Sequence, residues 1–197
     1  MIVRRYCLIL GSLLLAACDP QQAQYRTAMQ QLFQRDYRAG AATLTSLAEN
    51  GHPPSQFRLG FLYRTGLGVP RSARLANYWF EKAAQQGDVG GQYWLAESYR
   101  RGQGLPVSPE LAYAGFYRLA ERGYAPAQYQ VALALAEGRG VARNNGHAIT
   151  WLQRAVAGGH PEAARRLAQA YRNGELGLPQ DPLQAAEWER KIQPARF

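Results

Sequence analysis

The chain has 197 residues, a length that suits about one domain at roughly 150 residues each. Hydrophobic residues make up 47% and charged residues 19%, which excludes a wholly disordered chain. The formal charge is +9, and both cysteines, Cys7 and Cys18, lie at the N-terminus, so no disulfide framework holds the residues after 18. Lys82 and Lys191 are the only lysines, so 21 of the 23 basic residues are arginine. Arginine suits carboxylate, phosphate and aromatic partners, although drift in coding composition gives the same skew.

The first segment, residues 1–17, reads as a signal peptide. Arg4 and Arg5 make a basic start, and Cys7 to Ala17 is an apolar run. At about 1.5 Å per residue that run is too short to span a hydrocarbon core of roughly 30 Å. Small residues Ala16 and Ala17 stand just before Cys18, the layout of a secretory leader. Leu15-Ala16-Ala17-Cys18 resembles the bacterial lipobox. The resemblance implies cleavage before Cys18 and a diacylglyceryl thioether on its sulfur, leaving residues 18–21 as a lipidated tether. Asp19 resembles an inner-membrane retention signal, which favours the inner over the outer membrane. The expected location is the cell envelope, facing the periplasm.

From residue 22 to 193 a period of 36 organises the chain. Gly51, Gly87, Gly123 and Gly159 keep that step, as do Gly66, Gly102, Gly138 and Gly174. Gln56, Gln92 and Gln128 follow it, and so do Ala76, Ala112 and Ala148. Each copy reads as two helices. Gln56, Leu59, Gly60, Leu62 and Tyr63 recur at helical spacing before Gly66-Leu67-Gly68. Leu75, Ala76, Trp79, Phe80, Ala83 and Ala84 then form an apolar stripe that ends before Gly87. Pro54, Pro109, Pro126, Pro161 and Pro182 mark helix starts. Tyr25 to Phe33 and Ala42 to Ala48 suggest an earlier pair. The expected units are 22–51, 52–87, 88–123, 124–159 and 160–193, about four and a half repeats. In the copy at 92–123 Gly115 stands where the tryptophan belongs, with Phe116 and Trp94 as candidates to fill the space.

Leu59, Gly60, Tyr63, Gly66, Gly68 and Val69, followed by Ala76, Trp79, Ala83, Ala84 and Gly87, resemble the Sel1-like repeat pattern, a relative of the tetratricopeptide repeats. The resemblance implies an all-α fold, a right-handed α-solenoid of stacked antiparallel helix pairs. It also implies a scaffold or adaptor that binds protein partners. The family's cysteine-rich members carry a disulfide in each repeat. No repeat here contains a cysteine, so their penicillin-related activities are not carried over.

The expected function is a membrane-anchored periplasmic scaffold that binds partners through a helical-repeat groove, in an envelope secretion or exopolysaccharide assembly complex. Arg64, Arg100 and Arg172 hold equivalent positions, with Ala136 breaking the series. Phe61 and Trp94 are large aromatics at variable positions. Together these five are the candidate partner-binding residues, and Cys18 is the lipidation site. A solvated charged face is the alternative reading for the arginines, and inter-repeat packing for the aromatics. An anionic polysaccharide is a second candidate ligand, since guanidinium pairs bidentately with carboxylates. The alternative function is a cell-wall-active or β-lactam-binding enzyme. The sequence has no HExxH, GxSxG or SxxK. His52 and His160 lie three periods apart, which argues against one metal site. No cofactor, metal or nucleic acid is expected, and the chain is read as a monomer or a member of a hetero-complex.

Overall fold

The computed structural model describes residues 19–192, and the lipobox and its Cys18 lie outside them. Among the described residues there are ten helices and no strand. In chain order they are α1 (Pro20–Phe33), α2 (Tyr37–Glu49), α3 (Pro53–Thr65), α4 (Ala73–Gln85) and α5 (Val89–Arg101). They continue with α6 (Pro109–Glu121), α7 (Ala125–Glu137), α8 (Asn145–Ala157), α9 (Pro161–Asn173) and α10 (Pro182–Arg190). None is long and apolar enough to cross a membrane.

Seven of the ten helices open on a side-chain cap, with Asp19 and Asp88 serving α1 and α5, and the sequence explains the other three as well. The second helix of each pair opens on a side-chain cap. Asp36, Ser72, Ser108, Asn144 and Asp181 accept from backbone amides of the first turn of α2, α4, α6, α8 and α10, each replacing a donor that the helix leaves unsatisfied. Helices α3, α7 and α9 have no side-chain cap bond. They carry proline within the first two positions instead, which lacks the amide that would need one. These three end on Gly66, Gly138 and Gly174 in the left-handed conformation.

The chain forms two compact units, one ending at Gly91 and one beginning at Gln92. In the first, α1 packs on α2, α2 on α3 and α3 on α4. Ala28, Ala41, Leu44 and Leu62 form a buried cluster there, with Tyr25, Leu32 and Val69 against it. Val69 comes from the loop after α3, so this loop folds back on the first pair. In the second unit α6 to α10 pack in sequence. Small residues set the spacing. A Cβ at Gly60 would lie 2.7 Å from the Phe80 ring, and one at Gly115 would lie 2.8 Å from Ala96 Cβ. The absent tryptophan at 115 therefore leaves no gap to be refilled. Ala96 closes the position, and buried Phe116 instead meets the Tyr93 ring at 5.3 Å.

Candidate functional site

The three register-equivalent arginines each lie in the last turn of their helix, where the backbone carbonyls favour a cation. Their surroundings differ. Arg64 stacks over the Phe61 ring at 4.7 Å. Arg100 holds Glu97 with two hydrogen bonds, from Nε and Nη2, each 2.7 Å. Arg172 pairs with Glu189 of α10. Arg100 and Arg172 thus already carry carboxylates of the chain itself. Trp94 is half-buried and meets Tyr93 edge to face at 5.7 Å.

Glu97 is the unusual member of this group. It is only 4% exposed, at a register position held by Phe61, Leu133 and Gln169 in the other copies. Arg101 also donates to it. Burial pushes its carboxyl up, but the bonds and charge of Arg100, then Arg101, outweigh burial and hold it below the usual carboxylate range. Two guanidiniums on one buried carboxylate leave a net positive charge. The same bond to Glu97 holds Arg100 more firmly in its charged form and fixes its side chain.

Beside Arg100 lies a pocket of about 70 Å³. Ala112, Tyr113 and Phe116 of α6 and Leu133 and Ala134 of α7 give it apolar walls. Arg100, Glu137 and Arg139 supply its charges, and Arg139 pairs with Glu137. Tyr113 continues outward to Tyr117 at 5.7 Å, and Tyr117 meets Trp151 edge to face at 5.8 Å. Arg154 covers the Trp151 ring at 4.6 Å. The geometry suits an apolar side chain flanked by acidic groups.

Two of the three histidines pack on aromatic rings, while His147 is exposed. His52 rests on Tyr25 at 5.2 Å, and His160 stacks on Tyr129 at 4.7 Å. Burial lowers both pKa values. Among the described residues no group of three or more His, Cys, Asp or Glu side chains could hold a metal ion.

Sequence reasoning singled out Arg100, and Phe116 only as a space filler beside Gly115, but not Glu97, Tyr113, Leu133 or Arg139. Glu97 carried a usable signal, because it is an acid at a position where two other copies are apolar. The pocket residues carried none, since alanine, leucine and phenylalanine there look like ordinary core.

Comparison with known proteins follows the same lines. The Sel1 repeat pattern matches residues 53–88, 89–124, 125–160 and 161–191. A Sel1 repeat protein from Oxalobacter formigenes is similar, with 28% identity and a TM-score of 0.76 over 86% of this chain and 67% of that one. A protective antigen present in uropathogenic Escherichia coli strains, displaying the same repeat fold, has 28% identity and a TM-score of 0.72. That match spans 77% of this chain but only 32% of the antigen. A Sel1 repeat protein from Klebsiella pneumoniae has 20% identity and a TM-score of 0.54, over 85% and 83% of the two chains. No curated protein matches the chain in sequence. Sel1 repeats generally serve as scaffolds for protein interaction. With four tandem copies filling most of its length, this chain belongs to the Sel1 repeat family.

Proposed function

We propose that the protein is a membrane-anchored periplasmic scaffold without chemistry of its own, tethered through Cys18 and holding a protein partner in an envelope assembly. The pocket between α6 and α7 supports the partner-holding part of this reading, and the lipobox-like residues before Cys18 support the tether. A partner's apolar side chain enters between Phe116 and Leu133. A neighbouring carboxylate of the partner displaces Glu137 from Arg139, while Glu97 keeps Arg100 in place. Tyr117 and Trp151 extend the contact along the same surface. An exposed surface ion pair is worth about 0–1 kcal/mol, so exchanging it costs little. Arg100 acts here as a fixed wall charge rather than as a free hook.

The test is crosslinking and recovery of the anchored protein from intact membranes. Leu133→Arg should lose the specific crosslinked partner, while Leu183→Arg, at an exposed position on α10, should keep it. Equal recovery by both variants would remove the pocket from the proposal. A Cys18→Ser chain should be released from membranes or stay unprocessed. Retained acylation in that variant would refute the tether.

A further inference from the structure

The first unit carries a surface that the scaffold role leaves unused. Phe33, the last residue of α1, is 89% exposed, and Leu67 and Leu75 are each 37% exposed. Around them stand Arg35, Arg38, Arg71 and Arg74, all exposed. None of the four makes an ion pair or ring contact among the described residues.

Three contacts bring the loop that carries Leu67 and Arg71 to the turn between Phe33 and Arg38, and Arg74 and Leu75 follow in the first turn of α4. Val69 packs with Leu32 on the first-pair cluster. A Cβ on Gly68 would overlap the Tyr37 carbonyl and lie 3.0 Å from the Arg38 amide, and one on Gly66 would lie 3.2 Å from Arg71 Cβ. The loop after α3 therefore lies across the turn between α1 and α2. Asp36 is the carboxylate in that turn, and it is occupied by the Ala39 amide at 3.1 Å.

The second unit repeats this corner with the charges cancelled. There Gly140 closes on the Pro109 carbonyl and the Glu110 amide, so Glu110 stands where Arg38 does. Arg139 is paired with Glu137, and Arg143 donates to Asn145 at 3.3 Å. Even with the charge of Asp36 counted, the repeat geometry alone does not require four arginines without ion pairs around exposed apolar side chains.

We propose that the corner formed by Phe33, Leu67, Leu75 and Arg35, Arg38, Arg71 and Arg74 docks on an anionic phospholipid surface. This builds on the anchored reading above. Helix α1 begins two residues after Cys18 and is about 20 Å long at 1.5 Å per residue. Laid along the bilayer, it brings Phe33 to the headgroups. Guanidiniums bind lipid phosphates bidentately, and a projecting ring with two leucines enters the boundary of headgroups and acyl chains. A ring so fully exposed fits a deformable surface better than a rigid acidic protein. Docking here would fix the orientation of the first unit on the membrane.

The test uses the full chain with benzoylphenylalanine in place of Phe33, reconstituted in vesicles and irradiated. Phosphatidylglycerol vesicles should give a lipid adduct at residue 33. Pure phosphatidylcholine vesicles, or the Arg38→Glu/Arg71→Glu variant, should lower its yield by about tenfold or more. Equal yields on both vesicles, or a protein adduct in place of lipid when native membranes are irradiated, would overturn the proposal. Intact mass reports the modification of Cys18 separately. A lipidated chain without the adduct sinks the docking surface and leaves the anchor. An adduct on a chain lacking the lipid sinks the anchor and leaves the surface. Circular dichroism of the double variant confirms that its helices remain.

Discussion

Gln56 donates from Nε2 to the Ala48 carbonyl at 3.1 Å, and two periods later Gln128 donates in the same way to Ala120 at 3.2 Å. Both glutamines are buried, so each links a first helix to the end of the preceding second helix. Their other ends differ. Gln56 Oε1 accepts from Gln86 at 2.7 Å. The position equivalent to Gln86 is Gly158 in the later copy, and Gln128 Oε1 has no hydrogen-bond partner. Removing a buried hydrogen bond and stranding its partner costs about 1–3 kcal/mol. Gln56→Leu should fall in that range, and Gln128→Leu should cost clearly less because it also removes an unsatisfied oxygen. Urea unfolding of the two variants checks the order; equal losses would contradict it.

Glu97 should matter out of proportion to its size. Glu97→Gln leaves Arg100 and Arg101 facing each other without the charge between them. Hydrogen bonds to charged groups contribute about 1.5–3 kcal/mol, so a loss near that range is expected at neutral pH. The folded carboxyl titrates below its unfolded value. Its contribution is therefore complete above the unfolded value and disappears as pH falls through the folded one. The gap between wild type and Glu97→Gln should close at acid pH. A constant gap would place the effect in packing.

His52 and His160 give a second pH dependence in a different window. Burial disfavours their charged form, so both titrate below the ordinary imidazole value. The unfolded chain then binds more protons between the folded and unfolded values. Stability is complete above the ordinary value and declines as pH drops toward and through the lower folded one. His160→Phe keeps a ring on Tyr129 and should flatten this decline. Unfolding midpoints at about pH 7.5 and 5.5 suffice to see it. An unchanged slope would assign the dependence to other groups.

Loop glycines should separate by what lies beside them. Gly51 has positive φ and nothing within 4 Å of an added Cβ, whereas a Cβ at Gly68 or Gly140 would overlap a backbone carbonyl. Gly51→Ala should cost about 1–2 kcal/mol from the left-handed conformation alone. Gly68→Ala and Gly140→Ala should cost more, because a carbonyl in a helix start cannot swing aside. Thermal melts of the three variants would show the ranking, and equal shifts would contradict it.

The fold was legible because its repeat places the same chemistry at the same register several times. Pro109, Pro161 and Pro182 open helices, and Gly66, Gly138 and Gly174 end them. Each follows from a backbone preference that needs no tertiary knowledge. The candidate site was less legible. Arg100 and Arg172 were found by register, but register does not pair them with Glu97 or Glu189, which bind them. Glu189 lies in the helix after an extra loop residue, and Glu97 breaks the apolar pattern. The basic corner of the first unit was hidden for another reason. Arg38 and Arg71 are far apart in sequence, and only the loop glycine at 68 brings their neighbourhoods together.

That glycine contact carries a last consequence. Gly68 and Gly140 each seat a loop on the opening backbone of an earlier second helix, and no side chain of special identity is required at the seat. Such a joint is made by backbone and glycine, and it recurs once in each unit with different side chains around it. Where that seat is kept, the side chains around it are free to vary, so each unit can change its surface chemistry without disturbing the join between its helix pairs.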